Sequence, residues 1–136
     1  MEVKELTGTH ILTGFDTSTR VVDSGWCKGE EANVTLFELD GVVYEMSEDP
    51  EDGYRSAMKE LIVSDKEITN RFPACIVHGT LRGTNTWGDD PMEVLDFMDI
   101  TTKKIVLSIG TDCSAGYYPY YVSEFHPENM LVNAGR

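Results

Sequence analysis

The stretch Asn33–Leu39 (NVTLFEL), followed by Asp40-Gly41 and then Val42–Met46 (VVYEM), decides the fold prediction. Both flanking runs are rich in β-branched, aromatic and aliphatic residues, which favour strands. Asp-Gly between two such runs is typical of a two-residue type I′ turn, because glycine adopts a positive φ at little cost. The stretch therefore predicts an antiparallel β-hairpin.

Outward from this hairpin, six more runs favour strands. Turns or loops are predicted between them at polar segments such as Asp16-Thr17-Ser18, Trp26–Glu31 and Thr101–Lys104. In the last run, Pro119 removes a ladder donor, which predicts an edge strand or a bulge. The six runs are His10–Phe15, Arg20–Asp23, Ala74–Leu81, Glu93–Ile100, Ile105–Ile109 and Tyr117–Phe125.

One short helix is expected at about residues 53–61. Tyr54, Met58 and Leu61 are spaced i, i+4 and i+7, which would give one apolar stripe, and the acidic turn Asp49–Gly53 suits the positive end of a helix dipole. The predicted fold is α+β: a mainly antiparallel β-sheet of seven to eight short strands with this helix. We expect a single globular domain over residues 1–130 and a flexible tail over 131–136.

The net charge limits the class of partner. The chain has 136 residues, 24 Asp plus Glu, 11 Lys plus Arg and a formal charge of −13. A surface this negative repels phosphate, so direct binding to nucleic acid or to an anionic membrane is not expected. No stretch approaches the ~20 apolar residues of a membrane span, and Met1–Leu6 does not resemble a signal peptide.

The negative charge is concentrated in two segments that contain no Lys or Arg. The first lies between Lys28 and Arg55, and the second, between Arg82 and Lys103, includes Asp89 and Asp90. The stretch 55–82 is more basic than its surroundings. The first segment carries nine acids: Glu30, Glu31, Glu38, Asp40, Glu45, Glu48, Asp49, Glu51 and Asp52.

Catalytic and metal-binding patterns are weak. Setting Gly53 as the sixth position of a calcium loop places Pro50 and Lys59 where oxygen ligands are required, so that pattern fails. Cys75 and His78 are three apart, which on a strand points them to opposite faces. Cys27, Cys75 and Cys113 form no C-x-x-C pair, and Cys113 sits in a turn-like segment where an exposed thiol is expected. We expect no cofactor, no metal and no enzymatic activity.

Two aromatic features are unusual. Trp87 lies in the glycine-rich loop Gly83–Gly88, and loops seldom contain a tryptophan that neither packs nor binds. In the run Tyr117–Tyr121, alternation places Tyr118 and Tyr120 on one face of a strand and the outer two tyrosines on the other. Core packing is one interpretation of this run, and a binding or dimer surface is the alternative.

Several segments resemble small acidic proteins encoded by tailed bacteriophages. The matching pieces are Leu6–His10 with Leu12–Gly14, Asp49–Ser56 (DPEDGYRS), Tyr117–Tyr120 and Phe125–Asn129 (FHPEN). This resemblance implies a phage context, in which genes of this size often encode inhibitors of host defence, anti-CRISPR-like proteins among them. Several such inhibitors are acidic nucleic-acid mimics. The implied location is the host cytoplasm.

We therefore expect a non-enzymatic inhibitor that binds a basic host protein, such as a nuclease or a defence effector, through carboxylates that replace phosphates. One alternative is a sponge for a signalling nucleotide, with Arg55, Arg71 and Arg82 on the phosphates. Another is a virion structural or assembly protein. The predicted partner-binding residues are Glu48, Asp49, Glu51, Asp52, Trp87, Asp89, Asp90, Tyr118 and Tyr120.

Overall fold

The fold was analysed in a computed structural model that describes residues 1–51, 56–83, 92–114 and 118–130. Eight strands form one sheet in the order β4-β3-β2-β1-β5-β6-β7-β8, and every neighbouring pair is antiparallel. The strands are β1 (Gly8–Val21), β2 (Glu31–Leu39), β3 (Val42–Asp49), β4 (Ala57–Val63), β5 (Arg71–Gly83), β6 (Glu93–Asp99), β7 (Ile105–Asp112) and β8 (Tyr120–Phe125). Two four-stranded meanders thus meet where β1 pairs with β5.

The sheet curls until its two edge strands, β4 and β8, come into contact. Near this closure the Met58 N–H donates to Thr111 Oγ1 at 2.9 Å. Further along, the rings of Phe15 in β1 and Phe125 in β8 stack with centroids 4.1 Å apart. The concave side of the sheet therefore encloses the main core, which includes Leu12, Phe37, Leu39, Met46, Leu61, Val77, Leu95, Phe97, Leu107 and Ile109.

The predicted hairpin is confirmed. Leu39 pairs with Val42, and both residues of the connection have positive φ, 54° at Asp40 and 83° at Gly41. Two positive φ values define a type I′ turn, whose twist matches that of the flanking strands.

The predicted helix is wrong for its described part, because Ala57–Val63 is strand β4. Met46 pairs with Leu61, Ser47 with Glu60 and Glu48 with Met58, so the ladder skips Lys59 in a β-bulge. The bulge uses one extra residue, and Met58 and Leu61 therefore share a face although they are three apart. This is the spacing that imitated a helical stripe.

The described residues contain two short 3-10 segments, Val3–Leu6 and Pro127–Asn129, and no α-helix. The fold is thus a mainly antiparallel β-sheet of eight strands, and the helical part of the α+β prediction is incorrect. None of the described helical segments is long and apolar enough to cross a membrane.

The turn predicted at Asp16-Thr17-Ser18 is also wrong, because β1 runs through it without interruption. Asp16 is only 8% exposed and lies on the convex face. Its carboxylate accepts hydrogen bonds from the backbone N–H of Thr69 at 2.6 Å and of Asn70 at 3.1 Å. Asp16 therefore fixes the crossover, residues 64–70, that leads from edge strand β4 back to β5.

Other strand predictions are confirmed in position. Ala74–Leu81 lies within β5, Ile105–Ile109 lies within β7, and β6 covers all but the last residue of the run Glu93–Ile100. Pro119 directly precedes β8, which is an edge strand. This position agrees with the prediction, because proline lacks the N–H donor that an inner strand needs on both sides.

The expected exposure of Cys113 is wrong. All three cysteines are buried, and Cys113 is only 2% exposed. It directly follows β7, whose last two residues, Thr111 and Asp112, are themselves buried. As expected from their spacing, Cys75 is buried and His78 is exposed on the opposite face of β5.

Candidate protein-binding site

Part of the acidic charge is used inside the fold. Asp16, Glu38, Asp99 and Asp112 are between 1% and 8% exposed. Glu38 pairs with Arg71 and accepts a hydrogen bond from Thr13. Only part of the 24 carboxylates is therefore available to a partner.

In the second base-free segment, the described central acids have structural contacts. Asp96 accepts hydrogen bonds from Arg82 Nε at 2.8 Å and Ser108 Oγ at 2.6 Å. Asp99 accepts from the backbone N–H of Thr101 at 2.8 Å, and caps the turn after β6. The predicted site residues Trp87, Asp89 and Asp90 lie outside the described residues.

In the first base-free segment, three predicted site residues lie together at the end of β3. Glu48, Asp49 and Glu51 are all half-buried, whereas Asp52 lies outside the described residues. Glu48 Oε2 accepts from Asn33 Nδ2 at 3.1 Å, and Asp49 Oδ1 accepts from the Glu51 N–H at 3.1 Å. These bonds hold the carboxylates in place while leaving part of each exposed.

Glu51 links this cluster to the loop between β1 and β2. Its Oε1 accepts a hydrogen bond from the backbone N–H of Trp26 at 3.2 Å. Its carboxylate also occupies the space where a side chain at Gly25 would lie, and Gly25 has a φ of 84°. The loop is therefore seated on the acidic end of β3.

The loop itself, residues 22–30, is closed by its own backbone and by a small core. The Val22 N–H donates to Glu30 O at 2.8 Å, and the Gly29 N–H donates to Val22 O at 2.8 Å. Cys27 is buried with Val22 and Ala32 beneath the loop. With Cys27 turned inward, the neighbouring Trp26 is directed outward and is 78% exposed.

The electrostatics of Cys27 show that the carboxylates converge on this loop. Burial, together with the nearby carboxylates of Glu30, Glu51 and Asp49, raises the pKa of the Cys27 thiol to about 11. Acids from the loop and from the end of β3, which are about twenty residues apart in the chain, thus surround one point. Lys28 is the only basic residue between positions 22 and 30.

The two predicted site tyrosines lie at the start of β8. Tyr118 is 45% exposed and precedes the strand. Tyr120 is half-buried, and its hydroxyl donates to Asp112 Oδ2 at 3.1 Å. Tyr121 faces the concave side, where its hydroxyl bonds to Thr35 Oγ1 at 2.7 Å, so one face of the run packs in the interior. Tyr117 lies outside the described residues.

A shallow polar groove of about 290 Å³ separates β8 from β1 and β2. Asn33 lines this groove and also donates to Glu48, so the groove adjoins the acidic end of β3. Burial raises the pKa of Tyr121, and Glu48 adds to this effect. The groove lining comprises Thr17, Ser18, Asn33, Val34, Thr35, Tyr121, Val122, Ser123 and Glu124.

The two described arginines that were proposed to bind a nucleotide already form ion pairs with carboxylates of the chain. Arg71 pairs with Glu38, and Arg82 pairs with both Asp96 and Asp112. Arg55 lies outside the described residues. Within the described ranges, no group of three or more His, Cys, Asp or Glu side chains is placed to hold a metal ion.

Trp26 is the functional candidate that the sequence analysis missed. The reasoning applied to Trp87, that a loop seldom contains a tryptophan without a use for it, applies equally to Trp26. What the sequence could not show is that Glu51, twenty-five positions later, holds the Trp26 backbone. We call the surface formed by Trp26, Glu30, Glu48, Asp49 and Glu51 the acidic tryptophan surface.

No family model, curated protein or solved structure matches this chain.

Proposed function

We propose that the chain is a non-enzymatic, phage-encoded inhibitor that occupies a basic, nucleic-acid-binding site on a host protein. The acidic tryptophan surface is the part that binds. The phage context rests on the sequence resemblance, and the mode of binding rests on the chemistry of this surface.

Trp26 carries the proposal. Its side chain is 78% exposed on a loop that is closed by backbone hydrogen bonds and anchored by Glu51. Exposing an indole has no benefit for folding, whereas tryptophan is among the residues that most often dominate binding energy at interfaces. Because the loop is already ordered, less conformational entropy is lost when the indole is buried by a partner.

The carboxylates around Trp26 supply the selectivity. Arginine and lysine side chains that normally hold phosphates pair equally with carboxylates, and arginine does so in a bidentate manner. Complementary charge also speeds encounter and weakens with salt. An exposed indole beside these groups supports mimicry of a nucleic acid in which a base is unstacked, since aromatic groups take the place of bases in stacking.

The proposal is tested by affinity capture from a bacterial lysate with matched baits. The wild-type chain is compared with Trp26→Ala and with Glu30→Lys/Glu31→Lys. The double variant reverses the charge of Glu30 in this surface and of its exposed neighbour Glu31, and it keeps the Glu51 anchor. The control is Glu67→Lys/Glu128→Lys, which makes the same change in net charge at two exposed side chains away from this surface.

We expect the wild-type and control baits to retain the same basic, nucleic-acid-binding protein, and added single-stranded or duplex DNA to release it. Trp26→Ala should weaken the complex by about 2 kcal/mol, or roughly 30-fold. Equal capture by all four baits, or a captured protein that DNA does not displace, would show that this surface does not mimic a nucleic acid.

A further inference from the structure

The convex side of the sheet carries a row of exposed isoleucines across three adjacent strands. Ile11 in β1 pairs with Ile76 in β5, and the Ile100 N–H, directly after β6, donates to Ile76 O at 3.1 Å. The three side chains are 44%, 46% and 38% exposed. Ile105 in β7, which is 36% exposed and pairs with Met98, extends the same side. We call Ile11, Ile76, Ile100 and Ile105 the isoleucine face.

The two ends of this row carry opposite charges. At one end, Asp40 Oδ1 accepts from the Ile11 N–H at 2.9 Å, Asp40 Oδ2 contacts His10 Nδ1 at 2.6 Å, and the Asp40 side chain is 51% exposed. At the other end, Ile100 enters the turn that contains the exposed residues Lys103 and Lys104, closed by the Lys103 N–H donating to Asp99 O at 2.9 Å. The row thus runs from a carboxylate through three isoleucines to two ammonium groups.

We propose that the isoleucine face binds a second copy of this chain. A two-fold axis through Ile76 places Ile76 against its own copy, Ile11 against Ile100 of the partner, and Asp40 against Lys103 and Lys104 of the partner. Such an isologous contact uses each pair twice, once in each direction. The row has the self-complementary arrangement that this symmetry requires.

Charge favours a second copy at this face over contact elsewhere. Two chains of net charge −13 repel each other, and most of their described exposed charge is acidic. The isoleucine row, by contrast, has Asp40 at one end and two lysines at the other, so the two-fold arrangement brings opposite charges together at both ends of the row. Scattered exposed aliphatic residues are common on protein surfaces, whereas contiguous apolar patches are found at interaction sites.

The exposed area sets the strength of the contact. Stable interfaces bury about 800 Å² on each partner, whereas four isoleucines that are each less than half exposed supply only part of this area. The dimer is therefore weak, with a dissociation constant in the micromolar-to-millimolar range.

This face is separate from the acidic tryptophan surface. From Ile11 to Val21, where the loop carrying Trp26 begins, β1 covers about 33 Å at 3.3 Å per residue. The dimer therefore leaves both acidic surfaces open, and the proposal does not depend on the proposed function.

Sedimentation equilibrium over about 10 μM to 1 mM at physiological salt tests the proposal, since screening then reduces the net repulsion. The wild-type mass should rise from 15.2 kDa towards twice that value. Ile76→Asp should weaken association at least 10-fold, whereas the control Ile62→Asp, at an isoleucine that is 41% exposed on β4, should leave it unchanged. A wild-type mass that stays monomeric, or a loss caused by Ile62→Asp alone, would overturn the proposal.

A cysteine at the axis gives a second test that does not require a charged residue on a central strand. Under mild oxidation, Ile76→Cys should form a disulfide between copies. Ile11→Cys alone should not, because Ile11 lies two strand spacings, about 10 Å, from Ile100 and correspondingly far from its own copy. Mixing Ile11→Cys with Ile100→Cys should restore cross-linking. Rapid cross-linking of Ile62→Cys with none at Ile76→Cys would contradict the proposed axis.

Discussion

At the scale of single residues, Glu51 joins the fold to the candidate site. One carboxylate oxygen holds the backbone of Trp26, and the rest of the group contributes to the acidic tryptophan surface. Glu51 is therefore a positioning residue for Trp26 as well as a source of charge. These two roles can be separated, because glutamine keeps the acceptor oxygen and loses only the charge.

We expect Glu51→Ala to weaken partner capture more than Glu51→Gln does, although both remove the same charge. Only the alanine variant loses the hydrogen bond that orders the Trp26 loop. Tryptophan fluorescence and capture yield should be measured on both variants. Equal losses in capture would mean that Glu51 acts through its charge alone.

Asp16 illustrates a residue whose role no local pattern reveals. The segment Asp16-Thr17-Ser18 predicts a turn. In the structure, the buried Asp16 carboxylate instead accepts hydrogen bonds from four backbone and side-chain groups of Thr69 and Asn70. The partners lie more than fifty positions away, so sequence spacing alone could not identify them.

Replacing Asp16 with alanine should destabilise the fold by about 2–3 kcal/mol, because the N–H groups of Thr69 and Asn70 lose their acceptor. Urea denaturation followed by circular dichroism measures this change. Thr17→Ala, at an exposed neighbour, is the matched control and should change stability by less than about 0.5 kcal/mol. A stable Asp16→Ala variant would mean that the crossover is held by other contacts.

At the scale of elements, sequence predicted strands well where the determinant was local. Asp40-Gly41 sets the hairpin turn through the positive φ of its own residues. The helix prediction failed at β4, because the bulge at Lys59 is set by pairing with β3 and not by β4 itself. The candidate site divides in the same way: Glu48, Asp49 and Glu51 were proposed from their clustering in the sequence, whereas Trp26 became a candidate only through its long-range contact to Glu51.

The pairing of β6 with β7 requires glycine at position 110. Gly110 has a φ of 140°, and a Cβ there would overlap the backbone of Glu93 and Val94. We expect Gly110→Ala to cost about 2–4 kcal/mol, through strain and displacement of β6. Gly83, which pairs with Glu93 on the other side of β6, has open space for a Cβ.

Gly83→Ala is therefore the matched control and should be neutral or slightly stabilising. The melting temperatures of both variants should be compared with that of the wild-type chain. Similar melting temperatures for the two would indicate that β6 and β7 separate easily at Gly110.

At the scale of the whole molecule, acid should destabilise the fold through carboxylates that are bound in the native state. Hydrogen bonds from His10 and Ile11 lower the pKa of Asp40. Burial opposes ionisation of Asp112, but hydrogen bonds from Ser114 and Tyr120 and the charge of Arg82 outweigh it and lower its pKa. A lowered native pKa stabilises the fold above the unfolded pKa, near 4, and this stabilisation is lost as the pH falls through the native value.

The contribution of Asp112 can be isolated with Asp112→Asn. We expect the wild-type chain to be more stable than this variant at pH 7, and the difference to shrink between about pH 4 and pH 2. Repulsion between the many carboxylates decreases in both chains as the pH falls. Comparing the two chains at the same pH removes this shared effect. The control is Glu124→Gln, at a carboxylate that is 62% exposed, and at pH 7 it should change stability by less than about 0.5 kcal/mol. A difference in unfolding free energy between the wild-type chain and Asp112→Asn that does not change with pH would show that the charge of Asp112 does not contribute to stability.

The curled sheet also separates two surfaces with different chemistry. The isoleucine face lies on the convex side of β1, β5, β6 and β7, and the acidic tryptophan surface lies beyond the far end of β1. A weak dimer through the first would display two copies of the second. Bivalent display raises avidity towards a partner that is itself repeated or oligomeric, without any new contact.

The central claim, that the acidic tryptophan surface replaces nucleic acid on a basic host protein, is tested most directly by DNA competition on the captured complex. The account predicts that single-stranded or duplex DNA releases a protein held by the wild-type chain and by Glu67→Lys/Glu128→Lys, and that Trp26→Ala and Glu30→Lys/Glu31→Lys retain much less of it. Retention of the same proteins by every variant, undisturbed by DNA, would contradict it.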